Sequence, residues 1–142
     1  MCDSVDSMHE RERSLLKKSA LRATPKRVAL LDLLKRTQKP LTAEDIHKTM
    51  QDIDLVTVYR NLQSLVTVVL VREVRFKDAS VRYEFASSAH HHHLVCTNCG
   101  TVDELPECDV QSLEKHALEA SSRFKLINEH SLEFFGTCRA CA

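Results

Sequence analysis

From Leu21 onward, apolar residues recur at intervals of three and four. In LRATPKRVALLDLLKR, Val28, Leu30, Leu31 and Leu34 share a helical stripe, and Thr24-Pro25 offers a cap and a proline suited to a first turn. Pro40-Leu41 interrupts that stripe. Thr42 and Asp45 then stand at capping-box spacing and open a short second helix with Ile46 and Met50 on its inward side. Asp54 caps a third helix through DLVTVYRNLQSL, where Val58, Leu62 and Leu65 form the apolar stripe and Thr57, Arg60, Asn61 and Ser64 remain polar. The period then falls to two: VREVRF and VRYEF alternate as strands, with Lys77-Asp78-Ala79-Ser80 as the turn between them. Three helices followed by a hairpin is the order of a winged helix-turn-helix. The charged start, MCDSVDSMHERERSLLKK, is expected to lie exposed.

The second half has another rhythm. HHHHLVC alternates, TNCG turns, TVDEL returns, a helix runs from about Asp109 to Ser121, and INEHSLEFFG forms a last strand leading into CRAC. The order β-β-α-β describes a small α/β unit. A unit of this size buries too little apolar surface to be secure alone, so a metal staple or a contact with a second copy is expected. The fold class is therefore α+β: an N-terminal winged helix-turn-helix domain over residues 1–85 and a small C-terminal α/β domain over residues 86–142.

Composition narrows the function. Hydrophobic residues are 43% of the 142, charged residues 28%, with 2 Gly and 3 Pro, which excludes disordered, collagen-like and linker-rich chains. No apolar run approaches the roughly 20 residues needed to cross a bilayer, and the N-terminus lacks the apolar core of a secretion signal. A cytoplasmic location is expected, where disulfides are rare, so six cysteines beside eight histidines point to metal ligation. The net charge of zero conceals a gradient. Residues 1–85 carry 16 Lys+Arg against 12 Asp+Glu, a balance of +4, and residues 86–142 carry 4 against 8, a balance of −4. The basic half suits a polyanionic partner. Six histidines and five cysteines lie from His90 onward, which assigns metal chemistry to the second half.

Cys96-x-x-Cys99 and Cys138-x-x-Cys141 are two pairs separated by 38 residues. Each spacing lets two thiolates reach one ion from a tight knuckle, and four sulfurs suit a closed tetrahedral zinc site with a role in folding. Redox-active thiols and iron in a four-sulfur site are the rival readings. In the run His90-His91-His92-His93, strand alternation turns His90 and His92 one way and His91 and His93 the other, so one tetrapeptide can serve two metal sites. A pH-titrating surface cluster is the alternative. Glu84 at the end of the wing and Glu104 after the first knuckle lie within reach of the histidine strand, and His130 is expected on a neighbouring strand. Glu107, Cys108 and Asp109 are further ligand candidates, Cys108 being equally readable as an inert buried thiol. A mixed nitrogen and carboxylate set suits divalent iron, manganese or zinc bound reversibly. Cys2, His9, His47 and His116 have no companions at ligand spacing and are expected at the surface.

Together, TPKRVALLDLL, PLTAEDIH, DLVTVYRNLQSL, VREVRF, RYEF, HHHHLVCTNCG and HSLEFFGTCRAC resemble the ferric uptake regulator family, which includes zinc uptake regulators and peroxide sensors. The resemblance spans roughly residues 20–141. It implies a homodimeric, metal-dependent DNA-binding repressor whose C-terminal α/β domain dimerises. It also implies a recognition helix carrying Thr57, Tyr59, Arg60 and Asn61, with Tyr59 against thymine methyls or the sugar-phosphate edge and Arg60 on phosphate or a base. Arg22 and Arg27 would approach the backbone or minor groove. Structural Zn2+ would sit at Cys96, Cys99, Cys138 and Cys141. A regulatory site for Fe2+, Zn2+ or Mn2+ would use Glu84, His91, His93 and Glu104, and a second metal site His90, His92, His130 and either Cys108 or Glu107. Three positions depart from the family pattern: Pro40 replaces a histidine common before the second helix, VTVVLV replaces an acidic, glycine-containing turn, and Gln111 falls where a helix carboxylate is common.

The expected function is control of metal uptake or homeostasis genes through a near-palindromic operator in double-stranded DNA, with no membrane and no small organic substrate involved. A peroxide-sensing regulator of the same family is the nearer alternative. A zinc or thiol enzyme is the rival of a different class, but no HExxH-type motif or glycine-rich substrate loop is present, and no enzymatic activity is expected.

Overall fold

In the computed structural model, which describes residues 9–37, 39–86, 90–106 and 109–142, the first helix is one the hydrophobic pattern did not predict. Helix α1 (Glu10–Lys18) has acids in its first turn and lysines in its last, in keeping with the helix dipole. Leu16 is fully buried and Glu12 nearly so, so this charged stretch is not the exposed tail expected. One inward leucine per two turns is too sparse a signal to read as a stripe. After Ala20, in the left-handed region at φ +57°, the chain enters α2 (Pro25–Thr37), whose Val28, Leu30, Leu31 and Leu34 are buried.

Pro40 leads into a two-residue strand, β1 (Leu41–Thr42), and then α3 (Ala43–Thr49). The capping box is complete: Thr42 Oγ1 accepts the Asp45 amide at 3.1 Å, and the Thr42 amide donates to Asp45 Oδ2 at 3.3 Å. Helix α4 (Leu55–Thr67) begins at Asp54, whose carboxylate accepts the Thr57 amide and hydroxyl at 2.9 and 2.7 Å. At its other end the amide of Leu70 donates to Leu65 and that of Val69 to Val66, a Schellman closure. The left-handed position of that motif, at φ +59°, is Val69.

Strands β2 (Val71–Arg75) and β3 (Val81–Phe85) form the hairpin, with Val71 opposite Phe85, and β1 extends it in the order β1-β3-β2. The core of this unit gathers Leu16 of α1, Leu30, Leu31 and Leu34 of α2, Ile46 of α3, and Val58, Leu62 and Leu65 of α4 under Val71 and Tyr83 of the hairpin. Each fully buried side chain of this kind contributes about 1.5–3 kcal/mol.

The chain divides into two compact units, Met1–Ala86 and Ser87–Ala142. In the second, β4 (His92–Cys96) is central, with β5 (Val102–Leu105) antiparallel on one side and β6 (Glu133–Gly136) parallel on the other. A parallel neighbour requires a long crossover, and α5 (Val110–Glu119) lies within it. The expected strand INEHSLEFFG is paired only over its last four residues, so His130 stands in irregular chain ahead of β6. Among the described residues of this unit, Val95, Cys96 and Val110 are the buried apolar side chains, whereas Leu94, Leu113, Phe124, Leu126 and Phe134 are exposed. Hydrophobic burial within one chain is therefore too small to hold the unit. Among the described residues no helix is long and apolar enough to cross a membrane.

Candidate metal centres and nucleic-acid interface

The sheet brings the two cysteine pairs together. Cys96 ends β4, and the knuckle after it closes by a bond from the Gly100 amide to the Cys96 carbonyl at 2.9 Å, with Gly100 at φ +74°, where a side chain would be strained. Because Cys96 lies opposite Gly136 in the β4-β6 register, the chain leaving β6 delivers Cys138 and Cys141 to the same end of the sheet. All four sulfurs lie within 4.8 Å of one another, and Cys99 Sγ is 3.7 Å from Cys138 Sγ. Sulfurs arranged tetrahedrally about zinc at ~2.3 Å are separated by about 3.8 Å. All four are free thiols. The Cys138 amide donates to Cys96 Sγ at 3.3 Å, and amide donors from Cys138 and Cys99 lower the Cys96 pKa to about 6. Cys99 is lowered too, its sulfur 3.2 Å from the Thr101 hydroxyl. Cys141, crowded by Cys138 and Cys99, is pushed up to about 12. Converging sulfurs resist carrying four negative charges together unless a cation joins them, which is the charge pattern of a metal site.

At the start of β4, His90, two residues ahead of His92, has its Nε2 3.0 Å from His92 Nε2 and 2.9 Å from His130 Nε2. Nitrogens around an ion at ~2.0–2.1 Å sit about 3.3 Å apart, so little movement is needed to ligate one. Burial, and then the His90 charge, lower the His92 pKa and favour the neutral, ligating imidazole. His130 Nδ1 lies 2.9 Å from Glu114 Oε1; donating there, it presents Nε2 to the other imidazoles. Glu114 was not among the expected residues. It lies on α5 three positions after the exposed Gln111, so the helix carboxylate is displaced by about one turn. Glu107 and Cys108 lie outside the described residues.

His91, just before β4, and His93 on it form the other pair, with ring centroids 5.2 Å apart and nearly perpendicular. Glu104 on β5 is the register partner of His93, on the same face but exposed. Glu84 belongs to the first unit, on β3 opposite Arg72, whose Nη2 is 3.6 Å from its carboxylate. Of the other residues expected at the surface, His116 is exposed, but His47 Nδ1 is 2.8 Å from the Ile53 carbonyl and so fastens the turn after α3. His9 is half-buried, and Cys2 lies outside the described residues.

On α4, Val56, Tyr59, Arg60 and Gln63 form an exposed stripe at helical spacing. Tyr59 donates to Glu44 of α3 at 3.1 Å, which raises its pKa and orients the ring. Thr57 is committed to the Asp54 cap. Asn61, expected to meet DNA, is buried instead: its Oδ1 accepts from Arg27 Nε at 3.1 Å and its amide donates to the Thr57 carbonyl at 2.9 Å. Arg27 also donates to the Arg22 carbonyl at 2.8 Å, so Asn61 holds the turn from Arg22 into the start of α2 in place. Val56 and Gln63 were missed, though the i, i+3, i+7 spacing with Tyr59 was available to find them.

The model of the ferric uptake regulator family matches residues 18–135. The chain belongs to this family. A ferric uptake regulation protein of Bacillus subtilis strain 168 is 36% identical over 145 residues, covering 96% of each chain. A peroxide operon regulator of the same strain is 34% identical over 140 residues, covering 94% of each. The crystal structure of the Vibrio cholerae ferric uptake regulator matches with a TM-score of 0.75 at 30% identity, over 89% of this chain and 99% of that one. Within this member of the ferric uptake regulator family, two features of the winged unit are explained by its own packing. Pro40 is buried, and the turn after α4 is closed by Val69. The winged unit thus meets its backbone requirements without glycine there.

Proposed function

We propose that the chain is a metal-responsive transcriptional repressor that binds a near-palindromic operator in double-stranded DNA as a homodimer in the cytoplasm. Zn2+ at Cys96, Cys99, Cys138 and Cys141 holds the second unit folded. Fe2+, Zn2+ or Mn2+ at His91, His93 and Glu104, completed by Glu84 of the winged unit, is the signal. His90, His92 and His130, oriented by Glu114, take a second ion. The observation that carries this reading is the His91–His93 pair at the start of β4, with the Glu104 carboxylate in register opposite His93, a set that lacks one ligand of a four-coordinate ion.

The mechanism is linkage. If Glu84 supplies the missing ligand, the ion contributes binding energy at only one angle between the units, and that angle is selected. Two recognition helices of a dimer must reach major-groove faces about 34 Å apart, so the same selection favours DNA by a coupling of about 1–3 kcal/mol. Val56 and Tyr59 would meet thymine methyls and sugar edges, with Arg60, Arg22 and Arg27 on phosphates or bases. The apolar Leu94 and Phe134, register partners and both exposed, support a dimer seam on the sheet of the second unit.

Replacing His91 and His93 together by alanine tests the assignment. Operator affinity in a gel-shift titration should no longer rise when Mn2+ or Fe2+ is added, while the dimer remains. A metal response of undiminished size would overturn it.

A further inference from the structure

Every metal ligand considered so far except Glu84 lies in the second unit, yet the winged unit carries a donor cluster of its own. His9, Glu12 and Asp32 each offer a ligand atom within 4.8 Å of the other two. Two of these groups lie at the start of α1, three positions apart, and Asp32 is on α2, so the cluster bridges the two helices.

Its environment is unlike that of a solvated acidic patch. Glu12 is 2% exposed and Asp32 9%. Lys35 Nζ donates to Glu12 Oε1 at 2.9 Å, and Arg36 Nε to Asp32 Oδ2 at 2.8 Å, so each carboxylate has one oxygen held by a cation. The other oxygen of Glu12 and the Nδ1 of His9 are buried with no hydrogen-bond partner. His9 occupies the N-cap position of α1, yet its side chain makes no capping bond. Buried polar atoms are normally satisfied, and an unpaired carboxylate oxygen beside an unpaired imidazole nitrogen calls for a ligand able to accept lone pairs from both. Neither atom can satisfy the other without a proton or an ion between them.

We propose that His9, Glu12 and Asp32 bind a divalent cation of the zinc, cobalt or manganese class, pinning α1 to α2. One nitrogen and two oxygens suit such borderline ions and leave positions for water. Ligand atoms around an ion at ~2.0–2.2 Å lie roughly 3–4 Å apart, within the spread of this cluster. Lys35 and Arg36 act as outer partners that orient the carboxylates. The ion would fasten α1, and with it the chain entering the Arg22–Arg27 segment at the start of α2. The inference does not rest on the regulatory role of His91 and His93.

Titration of the full-length protein with Co2+, followed by metal analysis after desalting, tests it. His9→Ala should bind one equivalent fewer than the parent, and Glu12→Gln likewise. A chain carrying His91→Ala and His93→Ala should retain that equivalent, which separates this site from the proposed regulatory one. Hydrogen exchange gives a second readout that a purely structural histidine would not move: Co2+ should slow exchange across residues 10–18 in the parent and leave it unchanged in His9→Ala. If His9→Ala folds with the parent's circular dichroism and binds the same number of ions, the site does not exist. A protonated imidazole bridging the carboxylates, seen as protection of α1 that follows pH and ignores Co2+, would equally overturn it.

Discussion

Single residues in this protein are set by backbone demands as much as by packing. Val69 occupies the left-handed position of a Schellman motif, with φ +59° and its side chain 70% exposed. That conformation costs a residue with a β-carbon about 1–2 kcal/mol, and β-branching makes it rarer still. Nothing buried is lost on removing the side chain. The greater freedom of glycine in the unfolded chain takes back about 0.4–1 kcal/mol. Val69→Gly is therefore expected to stabilise the winged unit by ~0.5–1 kcal/mol, read as a higher urea midpoint at unchanged slope; a lower midpoint would show that the turn is not strained. Asn61 teaches the complementary lesson. It sits on α4 beside the exposed Arg60, but its amide is turned inward to Arg27, a preference visible only once α2 and α4 are packed.

At the scale of an element, α4 depends on its first turn. The Thr57 hydroxyl and then its amide, both donating to Asp54, hold that carboxyl below the usual aspartate range. A lowered native pKa stabilises the fold above the ordinary aspartate value of about 4, and that contribution is lost as pH falls through the lowered native value. The start of α4 should accordingly fray in acid, seen as faster amide exchange at Leu55–Thr57. Asp54→Asn keeps an oxygen in the cap and should flatten this dependence; an unchanged acid profile would assign the fraying to other groups. The wing turn rests on a carboxylate of the same kind, which the Ser80 hydroxyl and Arg82 hold below the usual aspartate range. The turn is closed by Asp78, which accepts the Ser80 amide at 3.1 Å and pairs with Arg82 at 2.6 Å, while Arg82 also lies over the Phe76 ring at 4.8 Å.

For the whole molecule, the contrast between the two units governs stability. The first buries a continuous apolar core, and the second leaves five large apolar side chains in solvent and gathers four sulfurs instead. Structural zinc contributes on the order of 10 kcal/mol in small sites, more than the apolar residues buried in that unit can supply. Cys96→Ser, or removal of zinc by a strong chelator, should unfold the second unit while the helices of the winged unit persist; retention of the full thermal transition would remove the structural role. Leu94→Asp with Phe134→Asp should shift the molecular mass in sedimentation from dimer to monomer. A persisting dimer would place the seam elsewhere.

How much of this was legible in advance follows from the range of the interactions concerned. The capping box at Thr42, the cap at Asp54, the helical stripes, the hairpin and each Cys-x-x-Cys knuckle are patterns within a few residues, so the sequence alone determined them, and with them the winged order; that the two knuckles meet as one four-sulfur group was decided by the β4-β6 register. The opposite facing of alternate histidines was likewise available from the strand period. Burial of α1, the turning-in of Asn61, the pairing of Glu114 with His130 and the meeting of His9 with Asp32 join residues 16 to 34 positions apart, or place a lone leucine into a core built by other helices. Such contacts have no local period to betray them. Only the packed chain, by burying some polar atoms and aligning others, decided which donors converge.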